Sequence, residues 1–204
     1  MITYPGLPAP RVGTFLSRED TARVLASGVS FHVGRIDLVA NTGTYLDAPF
    51  HYDADGADIA EVPLERLVDV PAICLRAYGH LVVGVEHLGE PDRLWGKAVL
   101  VHTGWSRHWG TELYRTGGPY LTEEAAGRLV DANIALLGVD ALSVDDIDDP
   151  ARPVHDTLLS NSIPIVENLT NLDQVPDRDF RLTALPAPVR RIGSFPVRAV
   201  AALE

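Results

Sequence analysis

The run NTGTYLDAPFH, Asn41 to His51, ends on an aspartate and a histidine four residues apart. Read as largely extended, it sets Asn41, Gly43, Tyr45, Asp47, Pro49 and His51 on one polar face, because side chains alternate along a strand. Thr44, Leu46, Ala48 and Phe50 then turn toward a core. A second pair stands far along the chain: His155 in PVHDTLLSNSI and Glu167 in IPIVENLTNL. With residues 163–167 extended, Glu167 shares a face with Ile163 and Ile165, and an acid at the end of an apolar face needs a partner there. Asp47, His51, His155 and Glu167 together offer two carboxylates and two imidazoles. That set suits zinc, manganese or iron if the four converge. Four separately satisfied polar residues are the alternative, and spacing does not choose between them.

Elements that would have to bring these residues together are visible in the hydrophobic pattern. SREDTARVLAS, residues 17–27, has a serine cap and early acids and predicts a short helix, whereas FHVGRIDLVA, residues 31–40, reads as strand. PLERLVDV suggests a helix start at Pro63, and AICLRA, LVVGVE and AVLVHTG suggest extended segments. LTEEAAGRLVDANIALLG, residues 121–138, is the clearest helix, capped by Thr122 and stopped by Gly138. VDALSVD and SIPIVEN follow as strands. The sum is a mixed α/β fold with a helix laid over a sheet, organised as one domain over residues 1–204.

Composition narrows the function classes. A chain of 204 residues that is 46% hydrophobic builds a sizeable core without staples. Its single cysteine, Cys74, allows no internal disulfide. A net charge of -11 disfavours nucleic acid, which is bound through clustered Lys and Arg. No apolar run approaches a membrane span, and MITYPGLPAPR has no signal-like pattern, so the expected compartment is the cytoplasm. The terminal Leu203-Glu204 reads equally as native or as an expression-vector scar.

Other sequence features carry less. DDIDDP, containing Asp145, Asp146, Asp148 and Asp149, lacks the spacing of a calcium loop and reads as a solvated turn. There is no G-x-S-x-G elbow for a serine triad and no Walker pattern for phosphate. His102 can face a cavity or pack; His32, His80 and His87 read as ordinary strand or boundary residues. SRHWGTELYRTGGPY is a polar, aromatic excursion in which Trp105, Trp109, Tyr114 and Tyr120 either cover a planar substrate or anchor the loop.

NTGTYLDAPFH resembles the signature H-x-G-T-H-x-D-x-P-x-H of the cyclase family, which includes bacterial kynurenine formamidases and isatin hydrolases. YPGLP, GVDALSVD, His155 with Glu167, VENLTNL and the terminal SFPVRAVAAL are similar to further landmarks of that family, in the expected order. The resemblance implies a cyclase-like swivelling β/β/α fold with a mixed sheet and a packed helix. It implies a homodimer or homotetramer and a small-molecule substrate. It also implies a metal held by Asp47, His155 and Glu167; in a hydrolase built on that ion, His51 is the expected proton acceptor.

Two positions depart from the pattern. Asn41 and Tyr45 stand where the two-metal formamidases carry histidines. An amide carbonyl is a weak zinc ligand, and a phenol must lose a proton near pH ~10 to become a strong one. A full dinuclear site is therefore not expected. Three readings stay open: one divalent metal, zinc or manganese, on Asp47, His155 and Glu167; a metal with an additional ligand from the polar loop; or a metal-free hydrogen-bonding pocket. In the metal readings Tyr45 and Asn41 become donors to an oxyanion, and the reaction is hydrolysis of a small amide, N-formyl compound, cyclic amide or lactone, as in arylformamidases. In the last, the chain is a non-catalytic small-molecule-binding relative.

Overall fold

The computed structural model describes residues 4–203. Glu204, half of the terminal dipeptide, and the first three residues of the segment read for a signal lie outside them. In chain order the elements are β1 (Arg11–Leu16), α1 (Arg18–Ala22), β2 (Val33–Asp37), β3 (Tyr45–Asp47), β4 (Val70–Arg76), β5 (Val82–Val83), β6 (Ala98–His102), β7 (Tyr120–Leu121), α2 (Glu123–Asp131), β8 (Leu136–Val139), α3 (Pro153–Ser160), β9 (Ile165–Glu167), β10 (Phe180–Pro186) and β11 (Ser194–Leu203). Short 3-10 turns connect many of them.

Seven strands close into a barrel in the order β10-β11-β3-β9-β8-β6-β4. The run β4, β6, β8, β9 is parallel; β3, β11 and β10 complete the ring with antiparallel pairings. Period-two alternation divides the apolar residues into two cores. Leu46, Ala72, Leu100, Leu136, Val166 and Leu182 fill the interior of the ring. Val99, Val101, Leu137, Val139 and Ile165 point outward and pack beneath Ala125, Ala126 and Leu129 of α2 and Val154 and Leu158 of α3. With Leu46 and Val166 committed inward, Tyr45, Asp47 and Glu167 must face out.

The mixed α/β expectation is met, with differences in element length. Thr122 does cap α2, accepting from the Ala125 N–H at 3.1 Å. The helix ends at Asp131, with Asn133 at a positive φ of 45°, seven residues before the expected end. Gly138 is no helix stop. It lies in β8, where a Cβ would come within 2.6 Å of Leu100 and 2.7 Å of Leu169, so the interior demands a residue without a side chain. The residues after Asn133 therefore belong to the sheet. VDALSVD correspondingly contributes only Val139 to a strand. The helix expected over 17–27 is likewise cut to Arg18–Ala22. Ser17 caps it as anticipated, but Val24 beyond it is 81% exposed. Without a surface to bury, a longer helix lacks the packing that stabilises short helices. PLERLVDV gives only a 3-10 turn, Leu64–Arg66.

α3 was not anticipated as a helix. Its first amides are served from a distance: the Asp145 carboxylate accepts from the Val154 N–H at 2.7 Å and the His155 N–H at 3.1 Å. A cap eight or more residues upstream leaves no local signature.

The aromatic excursion after β6 is held by one buried acid. Asp140, immediately after β8, accepts from the Thr103 N–H at 2.8 Å, the Thr103 hydroxyl at 2.6 Å and the Gly104 N–H at 2.8 Å. Asp140→Ala strands those donors and is expected to lower unfolding free energy by about 3 kcal/mol or more. Urea denaturation measures it; a loss below about 1 kcal/mol would contradict this anchoring role.

Candidate functional site

Tyr45 and Glu167 are direct cross-strand partners between β3 and β9, and Asp47 lies between Ile165 of β9 and Ser194 of β11. The extended reading of the motif holds only for Tyr45–Asp47. Proline at position 49 opens a 3-10 turn, Pro49–His51, which folds the chain back. His51 therefore reaches Asp47 through a turn instead of strand alternation, with its Nε2 3.8 Å from Asp47 Oδ1. Close approach of another segment fixes that turn. The Ala48 N–H donates to the Gly193 carbonyl at 2.7 Å, and a Cβ on Gly193 would lie 2.4 Å from His51 Cα.

His155 comes from the first turn of α3. Its Nδ1 sits 2.5 Å from Asp145 Oδ2, which fixes the ring and turns Nε2 toward Asp47 Oδ2 at 3.9 Å and Glu167 Oε1 at 3.4 Å. A carboxylate behind a histidine in this way sets both tautomer and basicity. Tyr52 stacks on the imidazole face, its ring 5.0 Å from His155 and nearly parallel at 6°.

The two buried carboxylates are served unequally. Glu167 has donors on both oxygens: the Val144 N–H on Oε1 at 2.9 Å and the Tyr45 hydroxyl on Oε2. Asp47 Oδ1 accepts from the Ser194 hydroxyl. Asp47 Oδ2 is buried and has no hydrogen-bond partner. One ligand atom each from Asp47, His51 and His155 lies within 4.8 Å of the others; among the described residues this is the group of metal-ligating type that converges. Two imidazoles and one buried carboxyl group with an orphaned oxygen fit a divalent cation in composition and in need. This is an Asp/His candidate metal site.

Charge states follow the same crowding. Burial, then the neighbouring Glu167, pushes the Asp47 carboxyl up to about 8, against the pull of His155 and Ser194. Burial alone would lower His155, yet its hydrogen bonds to Asp145 and Glu167 and the fields of Glu167 and Asp47 raise it to about 10. Burial lowers His51, helped by His155. Burial and Glu167 hold the Tyr45 phenol far above its ordinary range, so it stays a neutral donor.

All six residues expected from the sequence stand in one neighbourhood. Asn41 is at its edge, donating to Ser194 Oγ at 3.2 Å. Three contributors were missed: Ser194, hidden in the terminal strand; Tyr52, directly after the motif; and Asp145. The solvated-turn reading of DDIDDP suits Asp146, Asp148 and Asp149, but Asp145 is buried. His102 packs instead between Arg76 and Asp140.

Along the same strands, just past the Tyr45–Glu167 pair, lies a cavity of about 320 Å³ lined by Gly43, Thr44, Trp109, Asn168 and Leu169. Trp109 stands edge-on to Tyr114, whose hydroxyl donates to Asn168 at 2.6 Å. Trp109 is thus a wall, Tyr114 and Trp105 are anchors, and Tyr120 lies in β7 outside this lining. A larger cavity of about 830 Å³, with Arg76, Arg93, Lys97 and Arg181 on its walls, is lined by neither the site residues nor their chain neighbours.

In ion-free protein the raised Asp47 and His155 keep protons that the unfolded chain has released. Above about pH 6.5, where the lowered His51 and Asp145 no longer oppose them, Asp47 and His155 bind more protons in the native than in the unfolded chain, so their contribution to stability falls as pH rises to about 10. The His155 contribution is complete below its ordinary value of 6.5 and lost through about 10. Urea midpoints in excess chelator should decline over that interval and recover on adding zinc or manganese, which replaces the protons. A flat or rising profile would contradict the arrangement.

The sequence model described as "Putative cyclase" matches residues 3–146, more than half of the chain. A kynurenine formamidase of Bacillus anthracis is 33% identical over 204 residues, covering 97% of this chain and 90% of that relative. A solved structure described as a "Potential Metal-Dependent Hydrolase With Cyclase Activity" superposes with a TM-score of 0.77 at 25% identity, over 98% of this chain and 94% of the other. Isatin hydrolase A from Labrenzia aggregata shares the fold, with a TM-score of 0.80 at 21% identity over 100% of this chain and 88% of its own. Motif, architecture and relatives agree: the chain belongs to the cyclase family.

Proposed function

We propose that this protein is a metal-dependent hydrolase that opens the carbon–nitrogen bond of a small amide, of the N-formyl or cyclic amide class. The observation that carries the reading is the buried, partnerless Asp47 oxygen facing two imidazoles; a cavity of about 320 Å³ is lined by Thr44 and Asn168, the chain neighbours of Tyr45 and Glu167. That volume is at the lower end for small-molecule sites. The kynurenine formamidase relative and the metal-dependent hydrolase neighbour support the same class.

Asp47, His51 and His155 would hold the ion, zinc or manganese. When bound, such an ion supplies Lewis acidity, polarising a carbonyl oxygen and making water a better nucleophile at neutral pH. Asp145 keeps His155 in the tautomer whose Nε2 faces the site. Glu167 Oε1 accepts the proton of the attacking water and returns it to the departing nitrogen. A carbon–oxygen bond forms, the carbon–nitrogen bond breaks, and acid and amine leave. Trp109 flanks the organic part of the substrate. This reading exchanges the roles expected of His51 and Glu167 from the sequence: the convergence of ligand atoms includes His51, whereas Glu167 is already engaged by Tyr45 and Val144.

Hydrolysis of N-formylkynurenine, formanilides, lactams and lactones by ion-replete protein tests the proposal. Asp47→Ala should lose both ion and turnover. Glu167→Gln should keep the ion and lose about 10²–10⁴ in kcat. Ion-replete wild-type protein that turns over nothing in the panel would leave a binding protein, and the enzyme reading would fall.

A further inference from the structure

Tyr45 poses a question that the hydrolase reading leaves unanswered. It is a fully buried phenol beside the candidate ion position, on the same strand face as Asp47, yet it is directed at Glu167. Its hydroxyl donates to Glu167 Oε2, which places it as a donor and not as a ligand. Glu167 would otherwise be a natural addition to the ligand group: its Oε1 is 3.4 Å from His155 Nε2. Both of its oxygens are nevertheless supplied, one by Tyr45 and one by Val144, and the converging group is Asp47, His51 and His155 without it.

We infer that the Tyr45 hydroxyl is a latch that keeps Glu167 out of the ligand shell and restricts the site to one ion on three ligands. The inference rests on the ion-holding reading above. Its physical content is a competition for one carboxylate. Glu167 can accept from the phenol or bind the cation, and the phenol is covalently placed opposite it on the neighbouring strand. Leaving Glu167 out changes the ligand charge from minus two to minus one. The ion is held less tightly, keeps more net positive charge, and retains an open position for substrate, the feature that separates catalytic from structural sites. The same latch leaves Glu167 free to carry a proton.

The sign of one substitution separates this from an ordinary supporting role. Removing an outer hydrogen-bond partner of a metal ligand usually weakens ion binding 10–100-fold, on the order of magnitude seen across metal sites. Tyr45→Phe is expected to do the reverse, because a released Glu167 becomes a fourth ligand.

The experiment is calorimetric titration of chelator-stripped protein with zinc and with manganese, with circular dichroism confirming the fold of each variant. Wild type should take one equivalent. Tyr45→Phe should bind about tenfold more tightly, Glu167→Gln should stay within about threefold of wild type, and Tyr45→Phe/Glu167→Gln should return to the wild-type value. A folded Tyr45→Phe that binds equally or more weakly overturns the latch while leaving the ion site standing. If Tyr45→Phe does not fold, Glu167→Gln decides alone: a loss beyond about tenfold makes Glu167 a ligand in the wild type and ends the inference. Wild type that takes up neither metal ends both the inference and the ion reading.

Discussion

Two carboxylates, Asp47 and Glu167, are buried side by side on the outer face of the barrel, and the rest of the site is organised around making that tolerable. A buried charge without partners is costly enough that proteins either neutralise it or surround it with donors. Glu167 is surrounded, by a phenol and a backbone amide. Asp47 is half served by Ser194 and otherwise faces His155 and His51 across gaps of 3.9 and 3.8 Å. Those gaps are too wide for hydrogen bonds. They leave room at the center of three ligand-type groups. The barrel's architecture and the site's chemistry meet at this one group of Asp47, His51 and His155.

The scaffold explains why the acids are there. In a small barrel the interior is filled by side chains, so function has to be built outside or at the ends. Along the parallel strands the outward residues are apolar and lie under α2 and α3. At β3 and β9 the outward residues become Tyr45, Asp47 and Glu167, and α3 answers with His155 in its first turn. Asp145 ties the two facts together: one carboxylate caps the helix and orients its histidine. Those hydrogen bonds, outweighing its burial, hold Asp145 below the ordinary carboxylate range. The anion is therefore dependable at working pH.

Much of this was legible in the chain. The apolar run of AVLVHTG and the extended reading of SIPIVEN match β6 and β9, the Thr122 cap matches the start of α2, and residue types in NTGTYLDAPFH with His155 and Glu167 mark the site. What escaped is nonlocal. Gly138 looked like a helix stop because glycine often is one, whereas its real constraint is Leu100 and Leu169 across the barrel interior. Asp145 hid in a run of acids of which only it is buried. Ser194 carries no pattern of its own; it matters because β11 pairs with β3 at Asp47. The proposed division of roles between His51 and Glu167 rests on the Pro49 turn and on the hydroxyl of Tyr45, neither of which spacing could reveal.

Metal-dependent hydrolysis at this site requires an ion bound to Asp47 Oδ2. Anomalous diffraction from crystals grown with zinc addresses it directly. The expected map has one peak at about 2.0–2.2 Å from Asp47 Oδ2 and from a nitrogen of each of His51 and His155, with Glu167 still accepting from Tyr45. A map with no peak at Asp47, or a peak bonded elsewhere while Asp47 Oδ2 stays unpartnered, would contradict it.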